Sequence, residues 1–194
     1  MTLCLETLDG NALEFAVDRW YDEPSSEEDD LLDAMDGPIL DIGCGPGRHV
    51  LALNRRGVVA MGIDAAPSAV SLARSRGAVV LERSVFGRVP AAGRWRGALL
   101  LDGNVGIGGD PVTLLRCVAR LLAPQGIVAL EVEGPDVHVE QLTVRLDDGH
   151  SRSEWFPWGR LGVGGLAATA AAADLRVVRS WEGGGRWFAF LASP

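Results

Sequence analysis

Few folds accommodate an apolar segment that runs into three closely spaced glycines and a helix, followed by a carboxylate at the end of the next apolar segment. The segment is Ile39-Leu40-Asp41-Ile42-Gly43-Cys44-Gly45-Pro46-Gly47-Arg48, and the carboxylate is Asp64. Gly43 and Gly45 let the backbone approach a ligand where a side chain would collide, and Gly47 permits a tight turn into the helix. Open α/β sheets bind ligands outside the carboxyl ends of their strands, around a topological switch point. A glycine turn at one strand end and an acid at the neighbouring one, placed to take both hydroxyls of a ribose, therefore predict a site for a nucleoside-containing cofactor.

The pattern around this unit predicts the fold. Strands are expected at 38–42, 58–63, 78–81, 98–101 and 127–132, with helices between them. Pro67 sits at a helix first turn and Gly77 closes that helix, while Asp110-Pro111 supplies an N-cap and first helical position for another. Strands alternating with helices give a mostly parallel, doubly wound Rossmann-like α/β sheet. After Gly134 the alternation changes. Residues 137–156 read as an antiparallel hairpin around Asp148-Gly149, and residues 176–191 as a second hairpin around Gly183-Gly184-Gly185 that ends the sheet. The expected organisation is an N-terminal helical segment over 1–36 and one domain over 37–194, with a hairpin insertion at about 135–158. In the first segment, Ser25 with Glu28 three residues on is a capping-box pattern, and Leu31, Leu32 and Met35 form the apolar face of the helix that follows.

Two cofactor classes share this outline. A dinucleotide site uses G-x-G-x-x-G with a small third residue, but that frame places Arg48 at the third position. The frame that fits is D-x-G-x-G-x-G, formed by Asp41, Gly43, Gly45 and Gly47. With Asp64, the strand order and the terminal hairpin, the chain resembles the class I S-adenosylmethionine-dependent methyltransferases over residues 35–192. The resemblance implies S-adenosylmethionine as cofactor and S-adenosylhomocysteine as product. It assigns the methionine moiety to Asp41 and the Gly43, Cys44, Gly45, Gly47 loop, and the ribose to Asp64 with Ala65 beside it. Cys44 itself reads as a small packing residue, and His49 as a packing or solvent-side one.

The chain departs from that family at two places. Where members carry an acid contacting the adenine amino group, this sequence has Ser84, followed by Val85 and Phe86 as candidates to pack on the purine. The loop after the fourth strand, Asp102-Gly103-Asn104-Val105-Gly106-Ile107-Gly108-Gly109, is not the D/N-P-P-Y/F motif of many enzymes that methylate amino groups on DNA or glutamine. By the resemblance this loop lies beside the transferable methyl group. Asp102 and Asn104 are its candidate catalytic residues, Asp102 also touches the cofactor, and Ile107 lines the adenine or methyl region. If the acceptor needs a base, Asp102 is preferred, with Glu133 and His150 behind it. Trp20, Tyr21, Trp155 and Trp158 are candidate substrate residues, the last two as part of a lid. The expected function is methyl transfer to a small-molecule acceptor. The alternatives are a cofactor-binding or scaffold protein of the same fold without methyl transfer, and an NAD-dependent oxidoreductase.

Composition narrows the partners. All 18 basic residues are arginine, so Schiff-base and P-loop lysine chemistry are excluded. The net charge of −8 is concentrated in residues 21–36, and outside that stretch acids and arginines balance. No basic stripe is present, which disfavours nucleic acid and anionic membranes as partners. The three cysteines and three histidines have no metal-ligand spacing, so no metal is expected. The absence of a signal peptide and of long apolar runs predicts a cytoplasmic protein, monomeric or homodimeric.

Overall fold

The computed structural model describes residues 3–15 and 17–193. Its centre is a seven-stranded sheet. Five strands are parallel: β3 (Ile39–Ile42), β4 (Ala60–Asp64), β5 (Val80–Glu82), β6 (Trp95–Leu100) and β7 (Leu122–Val132). The antiparallel hairpin β10 (Arg176–Gly183) and β11 (Arg186–Ala192) completes the sheet, giving the order β10-β11-β7-β6-β3-β4-β5. This is the expected doubly wound sheet with its terminal hairpin. The order reverses between β3 and β6, so the loops after these two strands diverge and leave a crevice at their carboxyl ends.

Burial on both faces explains why these strands read as continuous apolar runs. On one face, helices α1 (Ser26–Asp33), α2 (Arg48–Arg55) and α3 (Pro67–Ser75) pack Leu31, Leu32, Val50, Leu53 and Val70 with Ile39, Leu99 and Phe188. On the other, α4 (Pro111–Ala119) and α5 (Val163–Ala172) pack Leu114, Leu115, Val118 and Leu166 with Leu40, Leu100 and Leu130. The caps are those the sequence predicts. Ser25 and Glu28 form both bonds of the capping box, and the Asp110 carboxylate accepts from the Val112 amide.

The N-terminal segment departs from the helical expectation. Among the described residues there, only Ser26–Asp33 is α-helical, with one 3-10 turn at Val17–Trp20, while β1 (Leu3–Thr7) and β2 (Ala12–Phe15) form a hairpin. That hairpin is joined by β8 (Val139–Asp147) and β9 (Phe156–Leu161) in a second antiparallel sheet ordered β2-β1-β8-β9. β1 is a strand because β8, more than 130 positions away, supplies its ladder partners from Cys4↔Asp147 to Thr7↔Val144. The expected hairpin insertion and the N-terminus are thus one structural unit, and it roofs the crevice. No helix among the described residues is long and apolar enough to cross a membrane.

Candidate active site

Under the roof lies a cavity of about 600 Å³ at the carboxyl ends of the parallel strands. Its lining brings together twelve of the predicted site residues: Gly43, Cys44, Gly45, Asp64, Ala65, Ser84, Val85, Asp102, Asn104, Trp20, Tyr21 and Trp158. Asp41 and Gly47 sit just behind this lining. Asp41 is wholly buried in β3, and Gly47 starts α2 with φ of 81°. A Cβ on Gly47 would come within 2.8 Å of the Ala78 Cβ, so the position needs glycine for space as well as for backbone conformation.

Trp155 is a correction. It lies outside the cavity lining, is 39% exposed, and carries the Arg145 guanidinium 4.7 Å from its ring centroid. Trp155 and Trp158 are three positions apart on extended backbone, so they project to opposite faces. The residues that do roof the site with Trp158 are Leu5, Leu146, Phe156 and Pro157, of which Leu146 and Phe156 lie in the 137–156 hairpin of the expected lid.

The floor is built for close approach. A Cβ added to Gly45 would meet nothing within 4 Å, so that backbone faces open space. The Asp64 carboxylate is held by two amides: Gly45 N–H donates to Oδ2 at 2.9 Å and Ala66 N–H to Oδ1 at 2.8 Å. Each oxygen keeps a further acceptor direction, and the residue lines the cavity. The Ser84 hydroxyl accepts from the Phe86 amide at 3.3 Å, which leaves its proton for a ligand. Cys44 packs against Gly62, where a Cβ would come within 2.5 Å of its sulfur, and burial pushes its thiol pKa up. It is a packing residue and not a nucleophile.

Asn104 is placed differently from the expectation of a substrate contact. Its Nδ2 donates to the Gly43 carbonyl at 2.9 Å, and its amide fills the space that a Gly43 side chain would take. Asn104 therefore braces the glycine loop.

Beneath Asp102 lies an ion network that the sequence did not reveal. The Arg48 guanidinium donates to both Glu28 oxygens, at 2.7 and 2.6 Å, and to both Asp102 oxygens, at 3.0 and 2.8 Å. Arg186 donates to both oxygens of Glu131, and its Nη1 lies 2.9 Å from Glu28. His49 spans two acids, with Nε2 3.4 Å from Glu28 and Nδ1 3.8 Å from Asp41. Glu28 and Arg48 are almost fully buried. Ligand atoms of Glu28, His49 and Asp102 come within 4.8 Å of one another, but the arginines already occupy the two carboxylates. Asp102 also has φ of 54°, a left-handed backbone that aspartate tolerates, and its amide donates to Glu131 at 2.7 Å. Both oxygens of Asp102 are thus bonded to guanidinium. The same holds for Glu133, gripped by Arg160 at 2.6 and 2.7 Å, while His150 stands exposed in the β8–β9 turn.

The comparisons with known proteins agree with this architecture. Residues 39–126 match the family model described as a methyltransferase domain. Among solved structures, an S-adenosylmethionine-dependent methyltransferase from Bacteroides fragilis, in complex with S-adenosyl-L-homocysteine, is 22% identical with a TM-score of 0.82. The match covers 100% of this chain and 89% of that one. The 1,6-didemethyltoxoflavin-N1-methyltransferase from Burkholderia thailandensis, solved with 1,6-didemethyltoxoflavin and S-adenosylhomocysteine, is 20% identical with a TM-score of 0.69, over 91% of this chain and 81% of that one. An amino pentose methyltransferase of calicheamicin biosynthesis from Micromonospora echinaspora, bound to S-adenosylmethionine, is 18% identical with a TM-score of 0.67, over 92% and 95%. No curated protein matches the chain by sequence.

Proposed function

We propose that this chain is a class I S-adenosylmethionine-dependent methyltransferase that methylates a small-molecule acceptor. The observation that carries the reading is the convergence of the open Gly45 backbone and the amide-held Asp64 carboxylate on one roofed cavity. A cavity of about 600 Å³ is in the usual range for a nucleoside cofactor and a small partner. The third position of a dinucleotide motif, which calls for a small residue, is held by Arg48, whose side chain is turned into a buried ion network. The toxoflavin-precursor and amino pentose enzymes, which share the fold, act on small molecules, and that supports the acceptor class.

The cofactor, when bound, supplies a methyl group activated by its sulfonium. The chain's own contribution is position. Asp64 holds hydroxyls at the mouth of β4, the Gly43–Gly47 loop lets the backbone close on the amino-acid end, and Val85, Ile107 and Ala65 give apolar walls. Trp158, Phe156 and Leu5 exclude water from above. Holding two reactants in line converts a bimolecular reaction into a positioned one, which is worth several orders of magnitude without a base. The occupation of Asp102 and Glu133 by arginines fits a mechanism that relies on orientation.

Asp64→Ala should weaken S-adenosylhomocysteine binding by about tenfold or more, since a hydrogen bond to a charged group is worth roughly 1.5–3 kcal/mol. Calorimetric titration of wild type and variant checks this, and a wild-type protein that binds neither S-adenosylmethionine nor its product would remove the proposed function. Asn104→Ala, which loses one neutral hydrogen bond to the loop, should cost about fivefold in the same titration. An Asn104→Ala variant with unchanged product affinity and reduced turnover would instead return Asn104 to the acceptor.

A further inference from the structure

A second cavity of about 460 Å³ adjoins the first, and Leu5, Trp20, Asp102 and Trp158 line both. It lies between the roof sheet and the carboxyl end of β7, next to the turn of the β10–β11 hairpin. Its walls are apolar at Trp187, Val105 and Leu161. Its charged residues are three carboxylates and three arginines. Two of the arginines are fully engaged: Arg160 bonds Glu133 and Glu140, and Arg186 bonds Glu131, Glu28 and Asp102. All three carboxylates are taken up by these same arginines and Arg48.

Arg19 is the exception. It lies in the 3-10 turn just before Trp20, faces this cavity, and its Nε is buried without a hydrogen-bond partner among the described residues. None of the ion pairs among the described residues includes it. The Nε is closed off from the cavity, so a ligand there meets the guanidinium through its terminal nitrogens, which pair with no carboxylate among the described residues. The planar fork of donors fits a carboxylate in a bidentate pair.

Resting on the methyl-transfer reading above, we propose that the second cavity is the acceptor chamber and that Arg19 anchors a carboxylate of the acceptor. The acceptor class is a small, partly apolar carboxylic acid. Its anion lies on Arg19, its apolar body among the Trp187 and Trp158 rings, and its reacting end reaches the first cavity past Asp102. Since the donor's methionine moiety also carries a carboxylate, the test must separate the two sources.

Phenylacetate and its neutral amide, phenylacetamide, serve as probes in NMR titrations of the full chain, with and without S-adenosylhomocysteine. Phenylacetate is expected to bind wild type at least tenfold more tightly than phenylacetamide. Arg19→Gln should abolish that preference, Arg19→Lys should keep part of it, and product affinity should stay within about twofold in both. Equal binding of acid and amide by wild type overturns the proposal without recourse to any variant. A tenfold loss of S-adenosylhomocysteine affinity in Arg19→Gln also overturns it, by assigning the guanidinium to the donor. A wild-type protein that selects phenylacetate but binds no S-adenosylhomocysteine supports the anion site and overturns only the methyl-transfer reading.

Discussion

Replacing Glu28 by alanine is expected to lower the free energy of unfolding by about 3 kcal/mol, the lower end of the cost of breaking a buried ion pair. Glu28 is 1% exposed and serves four neighbours at once: the Ser25 amide, the Arg48 guanidinium, Arg186 and the His49 ring. Removing it leaves two guanidinium groups below the site with Asp102 and Glu131 as their remaining partners, which is why the lower end applies. Asp29, the next residue of the same helix, pairs with Arg56 at the surface and is 46% exposed, so Asp29→Ala should change stability by about 0.5 kcal/mol or less. Urea denaturation of the two variants gives the comparison, and a Glu28→Ala cost below about 1 kcal/mol would mean that the network is not worth its burial. The pH dependence carries a sign as well. Burial raises the Glu28 pKa, but hydrogen bonds from His49 and Arg48 outweigh it, and the group ends well below the usual carboxylate range. Its stabilisation is therefore complete above about pH 4.5 and is lost as the pH falls. Glu28→Ala should accordingly lose its deficit relative to wild type in acid.

That network explains why the sequence disclosed the glycine loop but not what lies beneath it. The loop is a local pattern: strand, glycine turn and helix follow one another, and Asp64 ends the next strand. Glu28, Arg48, Asp102, Glu131 and Arg186 come from five segments and meet only because the sheet order reverses beside them. Spacing carries no trace of such a meeting. One signal was present, since Arg48 stands where a dinucleotide motif needs a small residue, and a charge at a helix start beside a buried strand needs a partner. The acidic run at 21–36 likewise reads as a solvated face, although Glu28 within it is only 1% exposed.

The N-terminal strands had a readable cue. Asp9-Gly10 is the same turn dipeptide as Asp148-Gly149, and it lies between two short segments rich in apolar residues. What the pattern lacks is the partner strand, because a two-stranded hairpin is marginal until β8 extends the sheet. The glycine-rich 103–109 loop was legible as a loop poor in side chains, but not for its cause. A Cβ on Gly106 would fall 2.3 Å from the Gly159 carbonyl oxygen, one on Gly108 2.4 Å from the Phe86 ring, and one on Gly109 2.7 Å from Pro157. The loop is bare so that β9 and Phe86 can lie directly on it and close the crevice. Trp155 illustrates the complementary limit, since a lid was expected from the 137–156 hairpin and Trp158 while the face of each ring depended on register.

Asp41→Asn is expected to stabilise the protein at neutral and alkaline pH by on the order of 3 kcal/mol, and to do nothing at pH 4. Asp41 is 1% exposed and its Oδ2 has no hydrogen-bond partner among the described residues. Burial pushes its pKa from 3.8 up to about 6, against the nearby His49, which lowers it, and with Asp102, which raises it. Between those two values the native state holds a proton that the unfolded chain has released, so stability falls as the pH rises through this window and the whole penalty applies above it. A displacement of that size corresponds to about 3 kcal/mol. The amide has no charge to desolvate, so the gain of Asp41→Asn over wild type should grow from nothing near pH 4 to its full value above about pH 7. Urea denaturation at pH 4.5, 6 and 8 measures it, and an equal gain at all three would trace the effect to packing instead of charge. On the proposed assignment of Asp41 to the methionine moiety, the same variant should bind S-adenosylhomocysteine more weakly, because the carboxylate stands directly before the glycine loop in β3. Stabilising substitutions at functional positions commonly cost activity. An Asp41→Asn protein that is both more stable at pH 8 and unimpaired in product binding would show that the loop draws nothing from this charge.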